Sequence, residues 1–246
     1  MDRKNIPNPG FAADDGSADP ALAQALADFD RDPATEPALL AALPAARLMV
    51  PIVALLGEVE VDAAGLKHEK TSDMAVPVIE APDGRRALPA FTSLATLAAW
   101  RADARPAPVA APDAVLAAYS ERADTLLIDP AGPVRYELTG ARMRAVAEGR
   151  RWLPPVEDPE VLAALRVLLA AEPLVLRAEL RPGSATDAVL ALALADGAPV
   201  QELAQRLAGA LAADPVLRVR LSRGLDLALL PADARPTGGS MYQRQD

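Results

Sequence analysis

His68, the only histidine in the chain, stands in a run that also holds Lys67, Glu69, Lys70, Ser72 and Asp73. Histidine, serine and carboxylate together are the ingredients of general-base and nucleophilic catalysis, provided that a third group orients the base. A polar loop seldom holds such geometry, and most of its charge is simply solvated. An enzymatic or ligand-binding reading would join His68 and Lys70 to Asp129, and it predicts a concave pocket where the three converge. Carboxylates occur as neighbours at Asp14-Asp15 and Glu157-Asp158. The second pair suits the start of a helix, where acidic groups offset the dipole. The first would dock onto the body, bind a cation, or stay disordered. Asp129-Pro130-Ala131-Gly132-Pro133 is a stiff, glycine-bearing connection between two apolar runs and reads as a hairpin link.

The absences narrow the chemistry. There is no cysteine, hence no thiolate nucleophile and no Cys-ligated metal, and one histidine with scattered carboxylates is a poor zinc site. Neither G-x-x-x-x-G-K-[ST] nor G-x-G-x-x-G occurs, and Gly238-Gly239-Ser240 lies in a tail rather than a phosphate cradle. No catalytic, metal or cofactor-binding residues are assigned, and no cofactor is expected. A net charge of −9 over 246 residues opposes binding to nucleic acid or an anionic membrane. Aromatic residues make up 3%, too few for base-stacking platforms. The hydrophobic share of 51% is ample for a core of Leu, Val and Ala. No apolar run approaches the ~20 residues of a membrane helix, the first residues lack a secretory pattern, and a cytoplasmic protein is expected.

Elements to carry these residues follow from spacing. Asp19-Pro20 caps a helix with Leu22, Leu26 and Phe29 on one face. A short helical piece is expected around Leu39 to Leu43. Arg47 to Leu56 reads as a buried strand, with Pro51 placing it at an edge or a bulge. Gly57 to Ser72 is expected to be a mobile loop. Met74 to Glu80 and Ala87 to Phe91 form the arms of a hairpin turning at Asp83-Gly84. Thr92-Ser93 then caps a helix through Leu94, Leu97 and Trp100. An extended Pro106 to Val109 precedes a helix through Val115, Leu116 and Tyr119. Leu126-Leu127-Ile128 pairs with Val134 to Leu138, and a helix from Ala141 closes at Gly149. After a linker at Trp152 to Asp158, helix, hairpin, helix and strand recur as far as Leu230.

Four segments resemble the SseB family, named for enhanced serine sensitivity, in its actinobacterial form. They are Ile6-Pro-Asn-Pro-Gly-Phe11-Ala-Ala-Asp14-Asp15-Gly16, the run Asp73 to Ser93, Arg105-Pro-Ala-Pro-Val109, and Asp124-Thr-Leu-Leu-Ile-Asp129-Pro-Ala-Gly-Pro133. The region after Asp158 is similar, in weaker wording, to the family's C-terminal domain. The resemblance implies a two-domain α/β protein and brings no catalytic residues.

The expectation is therefore an α/β chain of α+β character, in two small domains. Each holds a mixed or antiparallel sheet with β-hairpins packed by helices. Residues 1–18 form a flexible segment, 19–151 the first domain, 152–158 a linker, 159–231 the second domain and 232–246 a disordered tail. The leading functional reading is a non-catalytic protein that acts through a protein partner, its contact surface formed by Met74, Asp83, Gly84, Arg85, Phe91 and Trp100. The rival is the ligand-binding module or enzyme of His68, Lys70 and Asp129; a third reading is a secretion-associated adaptor or chaperone.

Overall fold

The side chain of Asp19 accepts a hydrogen bond from the Leu22 amide and Pro20 takes the first helical position, so helix α1 (Pro20–Arg31) starts where the spacing predicts. The computed structural model describes residue 11 and residues 14–55, 59–61, 67–69, 73–231 and 241–244. The chain forms two compact units, Met1–Trp152 and Leu153–Asp246, with a mixed α/β architecture.

In the first unit α1 is followed by α2 (Glu36–Ala42), β1 (Arg47–Leu55), β2 (Val59–Val61), β3 (Lys67–Glu69), β4 (Asp73–Ala75), β5 (Ile79–Glu80) and β6 (Arg86–Ala90). Then come α3 (Leu94–Trp100), β7 (Arg105–Ala110), α4 (Ala111–Ser120), β8 (Thr125–Ile128), β9 (Tyr136–Thr139) and α5 (Gly140–Ala147). One sheet runs β5-β6-β8-β9, with β6 and β8 parallel and the outer pairs antiparallel. A second runs β4-β1-β7, all antiparallel. Reciprocal backbone bonds between Met49 and Phe91, 2.8 and 2.9 Å, join the two. Leu22 and Leu39 from α1 and α2, Val115 from α4 and Met143 from α5 are buried with Leu88, Leu126, Ile128 and Leu138 of the strands. Leu126 and Ile128 of β8, and Tyr136 and Leu138 of β9, turn alternate side chains into this core.

Several expectations are corrected. β1 is central rather than an edge strand. Pro51 lies across from Pro106 of β7 in a pair that exchanges no backbone bonds, so its missing N–H costs that ladder nothing. Met49 turns both its backbone groups to Phe91, so Pro51, two residues on, faces that same side. There the pairing passes from Phe91 to β4, whose last residue, Ala75, lies opposite Val53. The hairpin around Asp83-Gly84 is shorter than its alternation suggests. Only Ile79↔Ala87 and Glu80↔Arg86 pair, while Met74 and Ala75 are drawn off to Ala54 and Val53 of β1. Within the expected loop 57–72, residues 59–61 and 67–69 pair as antiparallel strands. Helix α4 forms through Val115, Leu116 and Tyr119 as expected, and buries Ala111, Ala114, Val115 and Ala118. Trp152, expected in a linker, packs on the core of the first unit.

The second unit contains α6 (Pro159–Ala170), β10 (Val175–Pro182), β11 (Ala188–Leu194), α7 (Val200–Ala213), α8 (Pro215–Arg220), β12 (Leu225–Leu229) and β13 (Tyr242–Gln243). Its sheet runs β12-β11-β10-β13, parallel only between β11 and β12. Val161, Leu165 and Leu169 of α6, Leu203 and Leu207 of α7 and Leu217 of α8 share one core with Val175, Leu190 and Leu192. Asp158 ties two helices together: it accepts from the Glu160 amide at the start of α6 and from Arg220 Nη1 at the end of α8. Residues 241–244 are not a free tail. Tyr242 and Gln243 pair with β10, and Arg244 donates to the carbonyls of Val175 and Glu172.

Candidate functional site

Arg47, the first residue of β1, organises the polar centre of the first unit. Its Nη1 donates to the Thr92 carbonyl at 2.9 Å, and its Nη2 donates to the Ser17 carbonyl and to Asp14 Oδ1. Nε stands 2.6 Å from Asp14 Oδ2, which completes a two-pronged pair. The two side chains are only 11% and 15% exposed. Asp14 Oδ1 also accepts from the Gly16 amide, and the Gly16 carbonyl accepts from the Leu94 amide at the first turn of α3. Residues 14–18, grouped with a flexible segment by composition, are therefore held to the body.

Gly16 makes that approach possible. Its φ is +80°, and a Cβ there would lie 2.3 Å from Leu94 Cδ1.

Asp129 sits on the far side of Thr92. One carboxylate oxygen accepts from the Thr92 amide at 2.9 Å, the other from its hydroxyl at 2.6 Å. Asp129 is 3% exposed and has φ +49°, a conformation that aspartate tolerates better than most residues. Gly132 closes the loop over it, since a Cβ at Gly132 would come within 2.8 Å of Asp129 Cβ. Ser93, next along, caps α3 through a reciprocal exchange with Thr96. So Thr92 anchors the loop, and Ser93 alone supplies the cap. Both carboxylate oxygens of Asp129 are turned inward onto Thr92, so the structure gives the residue a loop-anchoring role. The His68 backbone lies on β3 opposite Glu60. Its side chain and the whole of Lys70 fall outside the described residues.

The residues expected at a contact surface separate. Phe91 has no exposed surface; it packs with Met49 and Leu97, and its ring meets Trp100 at 5.3 Å between centroids. Phe91 is therefore core and cannot meet a partner, because α3 covers it. Trp100 is half-buried over the same cluster. The turn at Asp83, Gly84 and Arg85 is exposed, with Gly84 at φ +83°. The Arg85 guanidinium, 2.8 Å from Asp83, holds that carboxyl below its usual range. Of Met74 only the backbone pairing with Ala54 is described.

Two concavities adjoin these elements. One is an open trough of about 480 Å³ lined by Phe11, Asp14, Asp15, Asp19, Ala45 and Arg47. Its acids are already engaged: Asp14 by Arg47, Asp19 by the α1 amide, and Asp15 by Ser17, whose hydroxyl and amide lower the Asp15 pKa. The other is a shallow cleft of about 130 Å³ on the face of β5-β6-β8-β9 opposite the main core. There Ile79, Ala87 and Leu127 are flanked by Arg85, Arg86 and Glu137. Among the described residues no three histidine, aspartate or glutamate side chains gather to hold a metal ion, and no helix is long and apolar enough to cross a membrane.

A buried polar corner went unseen in the sequence. Glu36 accepts from Tyr136 OH at 3.0 Å and pairs with Arg142 at 2.8 Å. The Arg142 guanidinium lies 4.8 Å from the centre of the Trp152 ring. Glu36 lies 100 residues before Tyr136 in the chain, so no local pattern signals it.

Three of the four family-like segments thus converge on one contact network, through Asp14 and Gly16, Thr92 and Ser93, and Asp129 and Gly132. No curated protein and no solved structure matches the chain. The family model described as SseB protein N-terminal domain matches residues 22–145, which takes in nearly the whole first unit, and the chain belongs to that family.

Proposed function

We propose that the protein is a non-catalytic, cytoplasmic member of its family that works by binding another protein through the first unit. The observation that carries this reading is the division of labour among its polar groups. Asp14, Arg47, Thr92 and Asp129, the groups best placed for chemistry, are all committed to holding loops in place. Exposed variety is found instead on the cleft-bearing sheet face, where Ile79 and Leu127 lie half-buried between Arg85, Arg86 and Glu137. A small apolar centre with a charged rim suits a protein contact better than a reaction. The surface is thus the Asp83–Arg85 turn with this face. The network of Arg47 and Asp129 fixes the strands that present it. Recovery of the tagged protein from its native cells, compared with an Arg85→Glu, Leu127→Glu variant, tests the assignment. A recurrent partner lost from the variant supports it. Equal recovery by both proteins removes this face from consideration.

A further inference from the structure

The sheet of the second unit ends in an edge strand, β12, that no described strand pairs on its outer side. On its inner side β12 pairs in parallel with β11. Its sequence is Leu225-Asp226-Leu227-Ala228-Leu229. The Gly224 carbonyl accepts from the Asp187 amide, and the Leu230 amide donates to the Leu192 carbonyl. Even-numbered residues therefore face β11. By the alternation of strand geometry, Leu225, Leu227 and Leu229 direct their N–H and C=O groups outward.

Edge strands of this kind are ordinarily blunted by proline, lysine or a covering element. β7 in the first unit shows the protected alternative, with Pro106 and Pro108 on a strand that is likewise terminal in its sheet. β12 carries neither proline nor lysine. Its leucine side chains also border an apolar groove of about 400 Å³. The floor is Leu225 and Leu227, the walls are Leu211 of α7 and Leu217 and Leu221 of α8 and its exit. Leu229 is 57% exposed at the end of the same row.

We infer that β12 is a self-association edge, at which a second copy of this chain adds its own β12 in antiparallel register about Leu227. Three features favour a second copy as the occupant. The outward residues are in phase: Leu227 would exchange both backbone bonds with its counterpart, and Leu225 would do so with the other copy's Leu229. The strand's one charge is placed without conflict, because Asp226 falls opposite Ala228 and not opposite itself. A two-fold axis perpendicular to the sheet keeps the leucine rows of both copies on the same side. The two grooves then merge into one, and each leucine row fills the other's opening. Such a contact is isologous and closed, so it stops at a dimer.

Sedimentation velocity and light scattering on the full chain test this inference, with Leu229→Lys and Leu229→Pro as variants. The Leu229 amide points away from β11, so proline there spares the internal ladder and blocks the outer one. The expected result is a species of twice the 25.7 kDa chain mass for the parent. Both variants should become monomers with unchanged circular dichroism. If either variant fails to fold, amide exchange of the parent decides: Leu225, Leu227 and Leu229 should gain protection as protein concentration rises. A parent that stays monomeric throughout the micromolar range overturns the inference. So does a dimer that both folded variants retain, or exchange at those three amides that ignores concentration.

Discussion

Asp129 and Thr92, 37 positions apart, are joined twice, once through the Thr92 amide and once through its hydroxyl. Both are buried, so the exchange of water for protein partners must be complete. Asp129→Ala leaves the Thr92 amide unsatisfied and should lower unfolding free energy by roughly 1–3 kcal/mol. Asp129→Asn retains an acceptor for that amide, while the Thr92 hydroxyl can turn to accept. Its cost should be clearly smaller, and asparagine suits the positive φ equally well. Urea denaturation of the two variants checks the order.

Arg47→Met removes the cation that holds residues 14–18. The expected loss is about 1.5–3 kcal/mol for charge-assisted bonds of this kind. Its signature is local: amide exchange should quicken at Gly16 and Leu94, while the strands keep their protection. Gly16→Ala should loosen the same segment, with about 1–2 kcal/mol of strain from the left-handed backbone. Exchange mass spectrometry of peptides spanning 11–19 and 91–97 reads both effects.

Phe91→Ala serves as a control for the surface assignment. Because Phe91 has no exposed surface, truncation should cost about 3–5 kcal/mol. Arg85→Ala, on the exposed turn, should stay within about 0.5 kcal/mol of the parent. A thermal melt distinguishes the two. Loss of partner binding in the Phe91 variant would therefore report damage to the fold and not a lost contact.

The main elements of this fold were legible in the sequence where local signals agree. The Asp19-Pro20 and Asp158-Pro159 helix starts, the Ser93 cap and the positive-φ Gly149 all stand where side-chain chemistry demands. Strand partners were less accessible, because pairing is decided between distant segments. Met74 and Ala75 carry a hairpin pattern, yet β1 offered them the longer ladder. The Asp14–Arg47 pair joins residues 33 apart, and nothing near Arg47 in the chain announces a partner. The bond from Asp129 to Thr92, 37 residues away, was out of reach of local patterns for the same reason. A loop carboxylate looks reactive until the amide it serves is known.

Tyr136 gives the fold a sensitivity to alkali. Burial, then the neighbouring Glu36 carboxylate, push its phenol well above the ordinary value of 10.0. Its contribution is complete below that value. As the pH rises past it, the unfolded chain ionises the phenol and the folded chain does not, so stability falls. In a spectrophotometric titration one of the three tyrosines should stay silent until the protein unfolds. Tyr136→Phe should abolish that delayed step.

The measurement that bears most directly on the proposed function is recovery of the protein from its native cells, followed by mass spectrometry. Parent protein and the Arg85→Glu, Leu127→Glu variant should be compared at matched expression and matched melting temperature. The account predicts a recurrent protein partner with the parent, and its loss with the variant. Recovery of the parent without any protein partner, especially with a small molecule bound, would contradict it.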